Sequence, residues 1–212
     1  MISTVQAVPR DSARPLAAAG TAGPTLGDSV DASLIARIAA GDKAAMRVLY
    51  TRHHARIFRF ILQFIPDTAV AEEVLQEVYL DVWRKAHMFE GRSRVSTWLL
   101  GVARHKALQA KRTRPTVPLD DGVAELVQDP ADNAEELAEK RDTGTILRNC
   151  LAQLSPVQRE IIELIYLRGK TINEVAAIVG AAQNTVKTRM FYARKRLAEL
   201  LRSQGITALP AV

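Results

Sequence analysis

Residues 183–197 read QNTVKTRMFYARKRL. Gln183, Asn184, Thr185, Lys187 and Thr188 stand at the front of this stretch, and Arg189, Tyr192, Arg194 and Lys195 follow. Amide side chains bond adenine edges and lysine bonds guanine edges in the major groove of DNA. Cations farther along a helix suit phosphates, which supply affinity without sequence choice. Val186, Met190, Ala193, Leu197 and Leu200 recur at helical spacing, so one side of the stretch is buried and the polar remainder faces out. Just before it, residues 171–179 form a short amphipathic segment with Ile172, Val175, Ala176 and Val179 inward, and Gly180 supplies a turn. Short helix, glycine turn and second helix make a helix-turn-helix, whose second helix lies in the major groove.

Other chemistry finds little support. His53 and His54 are adjacent, so a helix points them about 100° apart and they cannot serve one face. His87 and Glu90 lie at i, i+3, but two ligands do not make a metal site. Neither a glycine-rich phosphate loop nor a nucleophile motif is present. The expectation is a chain that is not an enzyme and that uses no cofactor and no metal. Cys150 is the single cysteine, so no intramolecular disulfide forms and a cytoplasmic home is expected.

The net charge of +6 over 212 residues conceals a pattern. Residues 31–114 carry 15 basic and 8 acidic side chains, residues 115–143 carry 2 and 9, and residues 144–212 carry 10 and 4. Two basic blocks flank an acidic one, and basic blocks suit a polyanion. Aliphatics are plentiful and strand-like alternation is lacking, so the fold class expected is all-α: two small helical domains joined by a flexible acidic linker. The boundaries read as a disordered tail over 1–30, a first domain over 31–114, a linker over 115–143, a second domain over 144–204 and a short tail over 205–212.

These domains need positioning elements. Leu34, Ile35 and Ile38 mark a first helix from Asp31, and Asp42 caps the next, which runs on toward Pro66. Asp67 or Thr68 starts a third, with Ala71, Val74, Leu75, Val78, Tyr79, Val82 and Trp83 buried. That leaves Glu73, Gln76, Glu77, Leu80, Asp81 and Arg84 on its outer side. A fourth helix begins at Ser96 or Thr97, apolar at first and basic toward Arg114, and Pro115 and Pro118 stop it. Ser155-Pro156 opens a later helix whose Ile161, Ile162, Leu164 and Ile165 are buried and which Gly169 ends.

With these elements assembled, residues 145–201 resemble region 4 of bacterial sigma factors, and residues 33–114 resemble region 2. The segments AEEVLQEVYLDVWRKAHMFEG and STWLLGVARHKALQAKR carry the second likeness. Regions 2 and 4 alone, with a short linker, resemble the extracytoplasmic-function (ECF) group. The resemblance implies a factor that binds the clamp helices and flap of core RNA polymerase and directs transcription from promoter DNA. It also implies control by an anti-sigma factor. Glu73, Gln76, Glu77, Leu80 and Asp81 then match the polymerase-binding face. Ser96, Thr97 and Trp98 begin the segment that reads the −10 element, although periodicity alone makes Trp98 a core residue. Arg92, Arg94, Arg104, His105, Lys106, Lys111 and Arg112 form its positive path, and the 183–195 residues named above read the −35 element. His105 stands where the family usually has Asn, Gln109 where it has Asp, and Glu73 where it has Asp, departures that bear on −10 preference and on the detail of the region 2 surface and not on the overall assignment. The rival reading is a sigma-like decoy that binds an anti-sigma factor without starting transcription. A polymerase face and a DNA face on one chain favour the active factor.

Overall fold

Helix starts follow the aspartates and hydroxyls. In the computed structural model, which describes residues 26–113 and 144–206, all regular structure among the described residues is helical. α1 spans Leu26–Ala39, α2 Lys43–Ile61, α3 Thr68–Lys85 and α4 Val95–Thr113. Asp42 accepts from the amides of Ala44 and Ala45, and Asp67 from those of Ala69 and Val70, so each carboxylate satisfies two donors that the helix leaves unpaired. α1 begins at Leu26 rather than Asp31, which shortens the tail expected over 1–30. Asp28 in its first turn faces the positive helix end and lies 3.5 Å from Arg94. α2 stops at Ile61 instead of running on to Pro66, while Ile65 stays buried. The tail before residue 26, the expected linker over 115–143 and the last residues of the C-terminal tail lie outside the described residues.

The second half begins with a helical stretch over 144–152, here α5. α6 (Pro156–Ile162) starts with a reciprocal capping box between Ser155 and Gln158, with Pro156 in the first turn. One π-helical turn follows over Glu163–Leu167, and sequence periodicity did not suggest it. α7 (Ile172–Val179) has a second capping box, Thr171 with Glu174. It ends at Gly180, whose φ of 66° is left-handed and suits glycine. α8 spans Gln183–Ser203.

α1 to α4 enclose a core around Leu49, Phe60, Ile61, Val78, Leu99 and Ala103. Asp31 is buried and ties α1 to α2, taking Arg52 Nε at 2.7 Å and His53 Nε2 at 2.8 Å. This core does not stop at the domain boundary drawn from sequence. It continues into Ile161, Leu164, Val175, Ala176, Ile178 and Val186. On α7 Val175 and Ala176 are buried as expected and Ile178 is buried with them, while Ile172 and Val179 are only half-buried, because α4 as well as α8 covers that helix. A smaller core of Cys150, Leu154, Ile162, Ala193, Leu197, Leu200 and Leu201 joins α5, α6 and α8. Leu49 is fully buried in the larger core. Leu49→Ala is expected to lower unfolding stability by about 2–5 kcal/mol, measured by urea titration; a loss below that range would mean the site collapses to fill the space.

Candidate nucleic-acid interface

α8 presents its front end to solvent. Val186 is fully buried and fixes the helix against the core. Gln183, Asn184, Thr185, Lys187 and Thr188 are all exposed, as are Arg194 and Lys195, and Arg189 is half-buried. Thr188 donates its hydroxyl back to the Asn184 carbonyl at 3.0 Å, which leaves the hydroxyl oxygen as an acceptor. No side chain caps α8 and no acid sits in its first turn, so its positive end is open to an anion. Phe191, which the sequence reading passed over, is exposed beside Tyr192, the two rings 5.4 Å apart edge to face.

α3 exposes Glu73, Gln76, Glu77 and Leu80, and Leu80 is 54% exposed, a high value for a leucine on a helix whose other face is core. Asp81 differs from the expectation that it faces outward. Lys85 lies 2.7 Å and Lys106 3.5 Å from its carboxylate, and the Lys85 hydrogen bond, with Lys106 helping, holds its carboxyl below the usual range. Lys106 also reaches Glu77 at 3.5 Å, so α4 and α3 are bridged by charge.

The residues expected to form the −10 path are placed differently from a solvent-facing track. Thr97 is 2% exposed and donates to Glu174 Oε1 at 2.6 Å. The Lys170 ammonium is buried against them, bonding Ser96 Oγ at 3.0 Å, Thr97 Oγ1 at 2.9 Å and Glu174 Oε1 at 3.3 Å. Arg104 forms a two-pronged ion pair with Glu160, with Nη2 to Oε2 at 3.2 Å. Arg94 pairs with Asp28 and Arg92 with Glu90. His105, Lys111 and Arg112 remain exposed, and Trp98 is half-buried against Phe89, with ring centroids 5.3 Å apart. The physical reason is that α7 packs on α4. Thr97, Gly101, Arg104 and Leu108 follow i, i+4, i+7, i+11 and so share one face of α4. A groove of about 620 Å³ runs along this junction, lined by Gly101, Leu108, Ala177 and Ile178 and rimmed by Arg104, His105, Lys111 and Arg112.

The junction is charged throughout. Burial pushes the Lys170 ammonium below its usual range, while Glu174 pulls the other way. Burial would raise the Glu174 carboxyl, but the Thr97 hydroxyl, the Thr171 amide and Lys170 outweigh it and bring it down to about 2. Arg168 reaches across to α2: its guanidinium lies 4.8 Å over the Phe60 ring and its Nη1 donates to the Arg56 carbonyl at 3.3 Å. Arg56 answers by donating to the Arg168 carbonyl at 3.0 Å. Arg168 Nε is buried with no partner, and burial, with Arg56 adding repulsion, lowers its pKa to about 10. Glu160, Arg168, Lys170 and Glu174 were all absent from the residues singled out in the sequence. No group of histidine, cysteine and carboxylate side chains that could hold a metal is found among the described residues. His53 is committed to Asp31, and His54 stacks on Tyr50 at 4.9 Å.

Comparison with known proteins fits this arrangement. Sigma-70 region 2 matches residues 49–115, and Sigma-70 region 4 matches residues 145–197. The ECF RNA polymerase sigma factor SigK of Mycobacterium tuberculosis is 33% identical over 186 residues, covering 85% of this chain and 98% of that protein. SigL of the same species is 32% identical over 173 residues, covering 80% and 96%. Among solved structures, the sigma factor RpoE in complex with the anti-sigma factor NepR from Bartonella quintana superposes with a TM-score of 0.54 at 26% identity, covering 70% of this chain and 91% of that one. CnrH, in complex with the cytosolic domain of CnrY, shares the fold with a TM-score of 0.58 at 23% identity, covering 82% and 98%.

Glu163 gives a pH test of the junction. Burial raises its carboxyl from 4.5 to about 7, with Glu160 adding to the rise and Arg168 and Arg159 opposing it. The folded chain therefore holds a proton that the unfolded chain has released, and the stability this contributes is full below pH 4.5 and lost as pH rises through about 7. Glu163→Gln is expected to flatten the fall in melting temperature between those values; an unchanged slope would show that Glu163 is ionised in the folded chain.

Proposed function

The chain belongs to the ECF family of RNA polymerase sigma factors, and from that membership we propose how its surfaces divide the work. It binds core RNA polymerase and directs promoter-specific transcription initiation. We assign core binding to the exposed face of α3, with Glu73, Gln76 and Glu77 around Leu80. An apolar side chain ringed by polar ones is how an interface centre and rim are built. Asp81 supports this face from behind by fixing Lys85 and Lys106.

The −35 element is read by α8. The observation that carries this assignment is the exposure of Gln183, Asn184, Thr185, Lys187 and Thr188 around buried Val186, just behind the Gly180 turn. Gln183, Asn184 and Lys187 supply base-edge chemistry, and Arg189, Arg194 and Lys195 supply phosphate contacts. Tyr192 packs beside the backbone path. The −10 element goes to α4, with Ser96, Thr97 and Trp98 at its start and Arg104, His105, Lys106, Lys111 and Arg112 along it, beside Arg92 and Arg94. The work is cytoplasmic, where RNA polymerase acts, and the partner that restrains it is an anti-sigma factor, by extension from RpoE with NepR.

The reading is tested by run-off transcription with core polymerase and a genomic promoter library; a chain that never yields a defined start site contradicts it. Two substitutions test its parts. Lys187→Ala and Arg189→Ala are expected to weaken promoter binding without unfolding the protein, each reducing the salt slope by about 1 where a phosphate contact is lost. Binding measured across a salt series decides, and unchanged affinity in both variants would remove α8 from the −35 contact. Leu80→Arg is expected to abolish association with core polymerase in a pull-down while leaving promoter-DNA binding by α8 unchanged. Retained association would move the interface elsewhere.

A further inference from the structure

We propose that Arg56, Arg59 and Arg168 form a binding site for a small anion with two phosphoryl groups, of the pyrophosphate class. Arg56, Arg59 and Phe60 stand at i, i+3 and i+4 on α2 and so share a side of that helix. Arg168 joins them from just past the π-helical turn. Its guanidinium lies 4.8 Å over the Phe60 ring, braced by the carbonyl bonds it exchanges with Arg56. Arg59 Nε donates to the Ala55 carbonyl at 3.2 Å. A guanidinium carries five N–H donors, and these bonds take one from each arginine. Other arginines have acids: Arg52, one turn earlier on α2, has Asp31, and Arg104 has Glu160. Among the described residues, none of Arg56, Arg59 and Arg168 forms an ion pair with a carboxylate.

Three like charges meet here with little to balance them. Burial lowers the Arg168 pKa to about 10, with repulsion from Arg56 and then Arg59 adding to the fall. Glu163 pulls the other way, but burial raises its own carboxyl to about 7, so at neutral pH it supplies part of a charge. Arg168 Nε is buried without a partner, a donor whose desolvation is not offset. The cluster therefore has both charge and donors left for a ligand. Guanidinium forks take phosphate oxygens two at a time. A single phosphoryl group carries about −1.5 to −2, so three guanidinium groups match two. Arg56 and Arg59 are exposed and leave the site open to solvent, with half-buried Arg168 as its floor. The three are gathered in one cluster, which suits a compact anion better than a strand whose backbone follows a groove. Arg56 and Arg59 fall within the region 2 match and Arg168 within the region 4 match, so the site is complete when the two halves are together. A ligand bound there stabilises that arrangement as its concentration rises.

Isothermal titration calorimetry of the full chain with sodium pyrophosphate, at neutral pH and constant ionic strength, tests the site. Arg59→Gln and Arg168→Gln should each weaken binding about tenfold, the loss of one charge-assisted contact. Arg59 is exposed and bonded within its own helix, which separates lost binding from lost fold. Arg47→Gln removes the same charge from an exposed position earlier on α2 and should stay within about twofold of the wild type. Inorganic phosphate, with half the phosphoryl groups, should bind at least about tenfold more weakly than pyrophosphate. Pyrophosphate should also raise the melting temperature of the wild type and leave that of Arg59→Gln unchanged. A wild type that does not bind pyrophosphate, an equal loss in Arg47→Gln, or binding kept in Arg168→Gln overturns the site. Oligothymidylate carries the same phosphoryl chemistry from a nucleic-acid source. If Arg59→Gln and Arg168→Gln lower its affinity as much as that for pyrophosphate, the cluster is a nucleic-acid contact and the small-anion site fails.

Discussion

The arrangement depends on a buried ammonium. Lys170 follows Gly169, whose φ of 61° turns the chain, and its side chain enters the seam between α7 and α4 where three oxygens meet it. Taking an ammonium out of water costs several kcal/mol even after relaxation, and about 3–5 kcal/mol of destabilisation follows when a buried pair loses one partner. Lys170 therefore stays there only while Ser96, Thr97 and Glu174 hold their positions. That requirement sets the axial register of α7 against α4, and two turns farther along α4 Arg104 pairs with Glu160 of α6. Alongside the polar clusters the groove is lined by Gly101 and Leu108 of α4 and by Ala177 and Ile178 of α7.

A junction of this kind is specific, because Lys170 meets its three oxygens and Arg104 its carboxylate at one register. Charge is not the whole of the contact: the larger core runs on from α1 to α4 into Val175, Ala176 and Ile178, so apolar burial and buried charge act together across it.

Local chemistry made most of the helices legible from sequence. Asp42, Asp67, Ser155 and Gly180 act where their side chains or backbone freedom place them, and the stripe Val186, Ala193, Leu197, Leu200 is buried as its spacing implies. The exposed edge of α8 followed from the same stripe. The junction was not legible, because its partners are separated by 56 to 112 residues and each looks ordinary in its own neighbourhood. Glu174 reads as the third position of a capping box, which it is, and nothing local shows that its second oxygen belongs to α4. Lys170 beside a glycine turn reads as solvated. Arg168 reads as the basic end of a helix, and the π-helical turn that rotates it toward Phe60 leaves no mark in a period of 3.6. Thr97 and Arg104 were named for the −10 element from the family resemblance, and their present partners, Glu174 and Glu160, come from another part of the chain.

The central claim is that the junction of Lys170 with Ser96, Thr97 and Glu174, together with Arg104 on Glu160, holds the two halves of the chain together. The most direct measurement is a distance between spin labels placed at exposed Arg47 on α2 and exposed Glu199 on α8, with buried Cys150 left unlabelled. It is read by pulsed dipolar spectroscopy in the free chain and in the same chain carrying Lys170→Ala and Arg104→Ala. The account predicts one narrow distance in the free chain and a broad distribution once the junction is removed. The same narrow distance in both would contradict it.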